Sequence, residues 1–165
     1  MIIPLNPFES FVPEKWNDIE NKLNIIFPKD YKTLISAYGT GQFFKFISFF
    51  NPFAKNKNVN LLDQLALVVD QYYDLKEGGE VINYSFFPVK GGLFPIGGTD
   101  NGDKIFYLTE GHVEKWKIVV NEARGEEWEE FDMSVSQFLG GIIDGGVVCN
   151  VFPNLPMHPP LFSSG

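Results

Sequence analysis

Cysteine and histidine are nearly absent from this sequence: Cys149 is the single thiol among 165 residues, and His112 and His158 are the two imidazoles. A lone cysteine closes no intramolecular disulfide, and no Cys pair stands at zinc-finger spacing. Basic side chains are also scarce, 13 Lys and Arg against 21 Asp and Glu, which gives a formal net charge of -8 and a pI of about 4.7. That balance repels the phosphates of nucleic acids and membranes and draws a basic partner inward. Direct nucleic-acid binding is therefore not expected. No stretch reaches the roughly 18 uninterrupted apolar residues of a membrane span. The opening MIIPLNPFES lacks a basic region and carries two prolines where a secretion signal needs an apolar run. A cytoplasmic protein with no membrane partner is expected.

Catalytic signatures are missing as well. The sequence contains no G-x-x-x-x-G-K-[ST], no G-x-G-x-x-G and no H-E-x-x-H. Pairing Cys149 with His158 would put the base on a proline-rich tail with no third group to orient it. In TDNGDKIFY, Asp100, Asn101 and Asp103 suggest a calcium loop, but Asp103 falls at the fourth position and Gly111 at the twelfth, where an EF-hand needs a glutamate. A hairpin turn is the simpler reading of that stretch. In RGEEWEEFD, Glu126, Glu127, Glu129, Glu130 and Asp132 crowd around Trp128. Paired carboxylates serve glycosidases when one is desolvated, but nothing in this stretch points to burial. No enzyme and no cofactor or metal are expected.

Binding is easier to motivate. Crowded acids repel one another, and a cationic partner would relieve that repulsion. On charge density, Asp100, Asp103, Glu126, Glu127, Trp128, Glu129 and Glu130 are the candidate protein-binding residues.

What the sequence holds in excess is phenylalanine, 17 residues, with six between Phe43 and Phe53. Ahead of that stretch, Trp16, Ile19, Leu23 and Ile26 recur at helical steps from Pro13 to Ile26. Pro28 opens a second helix and Gly39 closes it, with Tyr31, Leu34, Ile35 and Tyr38 on one stripe. FFKFISFF then reads as a buried strand from about Phe43 to Phe50, with Phe43, Lys45, Ile47 and Phe49 on one face and Phe44, Phe46 and Ser48 on the other. Most of these rings are expected in the core, with Phe43 or Phe49 left as an exposed aromatic anchor beside the acids. The Asn51-Pro52 turn is expected to tuck Phe53 back as a plug.

Asn60 caps a third helix, LLDQLALVVDQYYDLK, with Leu61, Leu65, Val68, Tyr72 and Leu75 on one side. The second half changes to strands: LFPIGG and DKIFYL around an Asn-Gly turn, VEKWKIVV with one wet face, and EEWEEFDM. Ser134 caps a last helix, and residues 151–165 are too rich in proline for regular structure. Helices early and strands late give an α+β class rather than a βαβ alternation.

Several fragments in order resemble one family. FPKDYKTLISAYGTGQ is similar to the N-terminal signature of the SUKH superfamily, a proline, an acid and a Tyr-Lys pair leading a helix into a glycine turn. FISFFNPF resembles the aromatic strand and Asn-Pro-Phe turn that follow. LFPIGGTDNGDKIFYLTEG resembles the central hairpin, WKIVVNEARGEEWEEFDMSVSQFLGGIIDG the closing strands and helix, and VFP the segment after them. Gln42, Phe43, Phe44 and Lys45 depart from it, since an acidic or small polar residue is expected after the glycine turn.

The resemblance implies one α+β domain over 1–165, with N-terminal helices packed on a mainly antiparallel sheet, a C-terminal helix and an irregular tail from 151. It also implies binding without catalysis. Bacterial members are mostly immunity proteins that block a cognate toxin, commonly a nuclease, and fungal relatives are regulatory interaction proteins in cell-wall synthesis. The expected partner is accordingly a basic toxin protein bound by occlusion, with a non-catalytic regulatory interaction module as the alternative. Neither the resemblance nor the residues specify an oligomeric state.

Overall fold

A computed structural model describes residues 3–10, 14–123, 126–155 and 161–165. Four helices, α1 (Glu14–Leu23), α2 (Lys29–Tyr38), α3 (Leu61–Glu77) and α4 (Val135–Asp144), surround one sheet. Its strands are β1 (Gly41–Phe43), β2 (Ile47–Phe49), β3 (Leu93–Thr99), β4 (Lys104–Leu108), β5 (Lys117–Asn121), β6 (Trp128–Phe131) and β7 (Phe162–Ser164). They lie in the order β6-β5-β4-β3-β2-β1-β7, every neighbouring pair antiparallel. This is the expected α+β class. Among the described residues no helix is long and apolar enough to cross a membrane.

The sheet is covered on both faces. Successive strand side chains point to opposite sides, and in β4 Ile105 and Tyr107 join a core with Trp16, Tyr31, Ile35 and Phe138, whereas Phe106 joins a second core with Val68, Tyr72 and Phe86. β5 divides the same way, Ile118 and Val120 on one side and Val119 on the other. The face of VEKWKIVV expected to be wet is covered beyond Lys117, whose side chain stays partly exposed: Val119 is as completely buried as its neighbours, beneath α3. Lys115 belongs to a short 3-10 turn before the strand rather than to it.

The helix stripes hold with local exceptions. Tyr31, Leu34, Ile35 and Tyr38 are all buried. α1 stops at Leu23, where Asn24 adopts a φ of 50°, so Ile26 leaves the stripe and stands exposed. Leu75, in the last turn of α3, is partly exposed too. Asn60 caps α3 by accepting from the N–H groups of Leu62 and Asp63, and Ser134 forms a capping box with Gln137.

The phenylalanine stretch corrects the sequence reading. Phe43 to Phe50 is a hairpin, not one strand: β1 and β2 meet at Phe43↔Ile47, and Phe46 N–H returns to Phe43 O at 2.9 Å. Phe44 and Lys45 at the turn have φ of 56° and 54°, the hand that continues strand twist through a tight hairpin. Phe44 is held there by its buried ring and by donating its N–H to Leu161 O at 2.8 Å. Turning the chain back lets Phe43, Phe44, Phe46, Phe49 and Phe50 all be buried, which a single alternating strand could not do without two covered faces at this point.

Asn51 follows and is wholly buried. It donates from Nδ2 to Glu9 O and Thr40 Oγ1, each at 3.0 Å, and accepts the Phe53 N–H at 2.9 Å. The Phe53 ring then stands edge-on to Trp16, 5.4 Å between centroids, as the expected plug. The tail departs from its expected irregularity, since Phe162–Ser164 pairs along the whole of β1 and Phe162 packs on Tyr38 and Phe43.

Lys45 is solvent-exposed in a left-handed conformation, which side chains bearing a Cβ disfavour. Lys45→Gly should raise stability by about 0.5–1 kcal/mol, the relief of that strain less the freedom glycine adds to the unfolded chain. Lys45→Val should lower it, and thermal unfolding of the two variants should shift in opposite directions.

Candidate functional site: an acidic cleft at the β6 edge

Strand alternation divides the acidic stretch. In β6, Trp128 and Glu130 face the side covered by α3, and Glu129 and Phe131 face the side covered by α4. The five acids are therefore not one cluster. Glu129 is turned onto the loop after α4, accepting Val151 N–H at 3.0 Å and Asn150 Nδ2 at 3.4 Å, with the Cys149 thiol at 4.0 Å. It anchors a loop and is a structural residue.

Glu130 joins different company. It accepts the Tyr84 hydroxyl at 2.6 Å and pairs with Lys117 at 3.5 Å, an ion pair about 40% exposed on each side and correspondingly weak. Tyr84 lies against Trp128, 4.9 Å between ring centroids, and Trp128 against Tyr72 at 5.7 Å. These rings floor a cleft of about 1060 Å³ between β6, the end of α3 and the segment 79–84. Glu80, Glu122, Glu126 and Glu130 line it, as do Leu75 and the strongly exposed Val81. No lysine or arginine lines it among the described residues.

The floor is fixed by a short chain of polar contacts. The Tyr72 hydroxyl donates to Asn121 Oδ1, and Asn121 Nδ2 donates to Glu127 O at 2.9 Å. Burial, then the negative charges of Asp103 and Glu80, raises the Tyr72 hydroxyl above its ordinary range. Burial, then the hydrogen bond and charge of Glu130, does the same to Tyr84. Both phenols stay protonated as hydrogen-bond donors at neutral pH.

The remaining predicted residues fall outside the cleft. Asp100 is exposed in the β3–β4 turn and accepts from Gln42 Nε2 at 2.7 Å. Asp103 is buried and tied down, accepting from Thr99 Oγ1 at 2.5 Å and from Ala123 N–H at 3.1 Å, so it fastens the β3–β4 turn to the one after β5 and offers nothing to a partner. In that turn Gly102 alone, and not Asn101, takes the positive φ. Phe43 and Phe49, expected as exposed anchors, are 2% and 4% exposed and belong to the core. Glu127, next to the cleft-lining Glu126, is exposed at the approach to β6.

Tyr84, Glu80 and Glu122 were not legible as site residues, because they come from separate loops that only the fold brings to β6. Among the described residues no three His, Cys, Asp or Glu side chains are placed to hold a metal ion. His158, the other half of the considered thiol pair, lies outside the described residues.

Across most of its length, residues 13–139, the chain matches the SUKH model of the SMI1-KNR4 cell-wall family. The chain belongs to the SUKH superfamily. No curated protein and no solved structure matches it. Within this SUKH domain the match takes in the Phe hairpin, α3 and the whole β3–β6 meander, so every residue that lines the cleft lies inside the matched stretch. β7 lies beyond the matched residues.

The Cys149 thiol is pushed up from 9.0 to about 12 by burial and then by the Glu129 carboxylate. Folded protein should therefore react slowly with a thiol-specific reagent at about pH 8, and denatured protein at once. The unfolded chain loses this proton first, so the contribution to stability is whole below pH 9.0 and declines as pH rises towards about 12. Chemical unfolding across that range should show a steeper decline for the parent than for Cys149→Ala.

Proposed function

We propose that this SUKH protein is an immunity protein that binds a cognate toxin and neutralises it by occlusion, acting in the cytoplasm without catalysis or cofactor. Family membership is the observation that carries the reading, because the SUKH resemblance implies binding roles. The surface adds to it. A cleft rich in carboxylates on an aromatic floor, in a protein of net charge -8, fits a basic partner. A nuclease is the natural candidate, since its nucleic-acid groove is lined for phosphates and a negatively charged protein surface can fill it. Trp128 and Tyr84 supply the large rigid side chains that dominate interface energetics, and Glu80, Glu122, Glu126 and Glu130 form the polar rim.

The description of the matched family as a cell-wall one favours a second reading, a non-catalytic regulatory interaction module with no toxin partner. Affinity capture with tagged protein from its native cells, followed by calorimetric titration, separates the two. One basic toxin domain bound at about nanomolar affinity or tighter is expected for immunity. Several weak partners would replace that reading with the regulatory one.

With the captured partner in hand, Glu126→Gln with Glu130→Gln should slow association by about tenfold at low salt and flatten its salt dependence. Glutamine keeps an acceptor for Tyr84, so circular dichroism should remain that of the parent. Stopped-flow rates unchanged by the double substitution would remove the cleft from the interface.

A further inference from the structure

β6 ends the sheet, and the direction of its free backbone groups follows from register. Glu122 N–H donates to Glu127 O, so that opposed pair is hydrogen-bonded, and antiparallel pairs alternate. Val120↔Glu129 and Ile118↔Phe131 are then the bonded pairs, and Asn121↔Trp128 and Val119↔Glu130 are the unbonded ones. The N–H and C=O groups of Trp128 and Glu130 consequently point away from β5, along an edge that no described strand occupies. The side chains of these two residues are the ones that face the cleft.

An open edge and a cleft thus share the same two residues. Edge strands commonly carry lysine, proline or a bulge to discourage pairing. β6 is short, four residues, but carries none of these; its register with β5 is unbroken, and its cleft face bears an acid that would repel a like strand and attract a basic one. A strand laid against it would place every second side chain over Trp128 and Tyr84, within reach of Glu80, Glu126 and Glu130. Among the described residues, Lys117 pairs with Glu130 and Lys76 Nζ donates to Tyr84 O, and neither lysine lines the cleft.

We infer that β6 is a docking edge for an extended, basic segment of a partner protein, added as an eighth antiparallel or parallel strand, with lysine or arginine at alternate positions entering the cleft. Main-chain hydrogen bonds to Trp128 and Glu130 supply binding that is indifferent to sequence. The carboxylates and the aromatic floor select the alternation. This inference rests on the reading of the protein as a binder of a basic partner and specifies how that partner is held.

The test uses a synthetic peptide of about ten residues, a usual strand length, alternating lysine and threonine. Its companion has the same sequence with alternate backbone amides N-methylated, which removes donors and keeps every charge. Titration is followed by Trp128 fluorescence, against Trp128→Phe to identify the signal, and by amide hydrogen exchange of the full chain. The expected result is saturable binding of the first peptide, slowed exchange at Trp128 and Glu130, and at least tenfold weaker binding of the N-methylated form.

Equal binding of the two peptides would overturn strand addition and leave charge alone as the attraction. No binding of either peptide would overturn the inference outright. Neither outcome touches the immunity reading, which stands or falls on the captured partner. Conversely, peptide binding with the expected exchange pattern would support the docking edge even if no toxin were captured.

Discussion

Strands β3, β4 and β5 are apolar on both faces, and that constrains the rest of the molecule. A strand buried above and below has no water to satisfy its amides, so both of its neighbours must be strands. The sheet therefore extends outward until it reaches strands that can tolerate solvent, β6 at one end and β7 at the other. Two faces also require two covers: α1, α2 and α4 bury one, and α3 with the segment around Phe86 buries the other. Glycines ease the closest approaches inside this arrangement. A Cβ at Gly97 would stand 2.7 Å from Ser48 O, so the β2–β3 contact needs glycine at that position.

The two ends of the sheet are finished differently. At β1 the aromatic hairpin is locked by Tyr31, whose buried hydroxyl donates to Phe50 O, and by Asn51, and β7 then covers the edge. At β6 the chain instead opens a cleft, with carboxylates around aromatic rings. The contrast bears on function. One end of the sheet is a three-residue strand, β7, whereas the other brings open backbone groups, charge and aromatic surface together in one place.

Legibility in the sequence followed the range of the interactions involved. Helix caps such as Asn60 and Ser134, and the α2 stripe of Tyr31, Leu34, Ile35 and Tyr38, depend on residues a few positions apart and could be read directly. The Phe43–Phe50 hairpin could not, because its turn has neither glycine nor asparagine and relies on a buried ring and on Leu161 O, far along the chain. β7 escaped notice for the same reason: three residues gain strand geometry only from β1. Charge density located Glu126, Trp128 and Glu130 but could not separate them from Glu129 and Asp103, which the fold turns to internal hydrogen bonds.

By itself the sequence determined the α+β class, the SUKH membership and the acidic character, since these reside in composition, local periodicity and ordered motifs. Tertiary structure decided which acids face outward together. β6 alternation assigns neighbouring glutamates to opposite faces, and only packing brings Glu80, Tyr84 and Glu122 beside Trp128. It also decided that Phe43 and Phe49 join the other rings of the stretch in the core rather than serve as contacts, the chain turning at Phe44 and Lys45 between them.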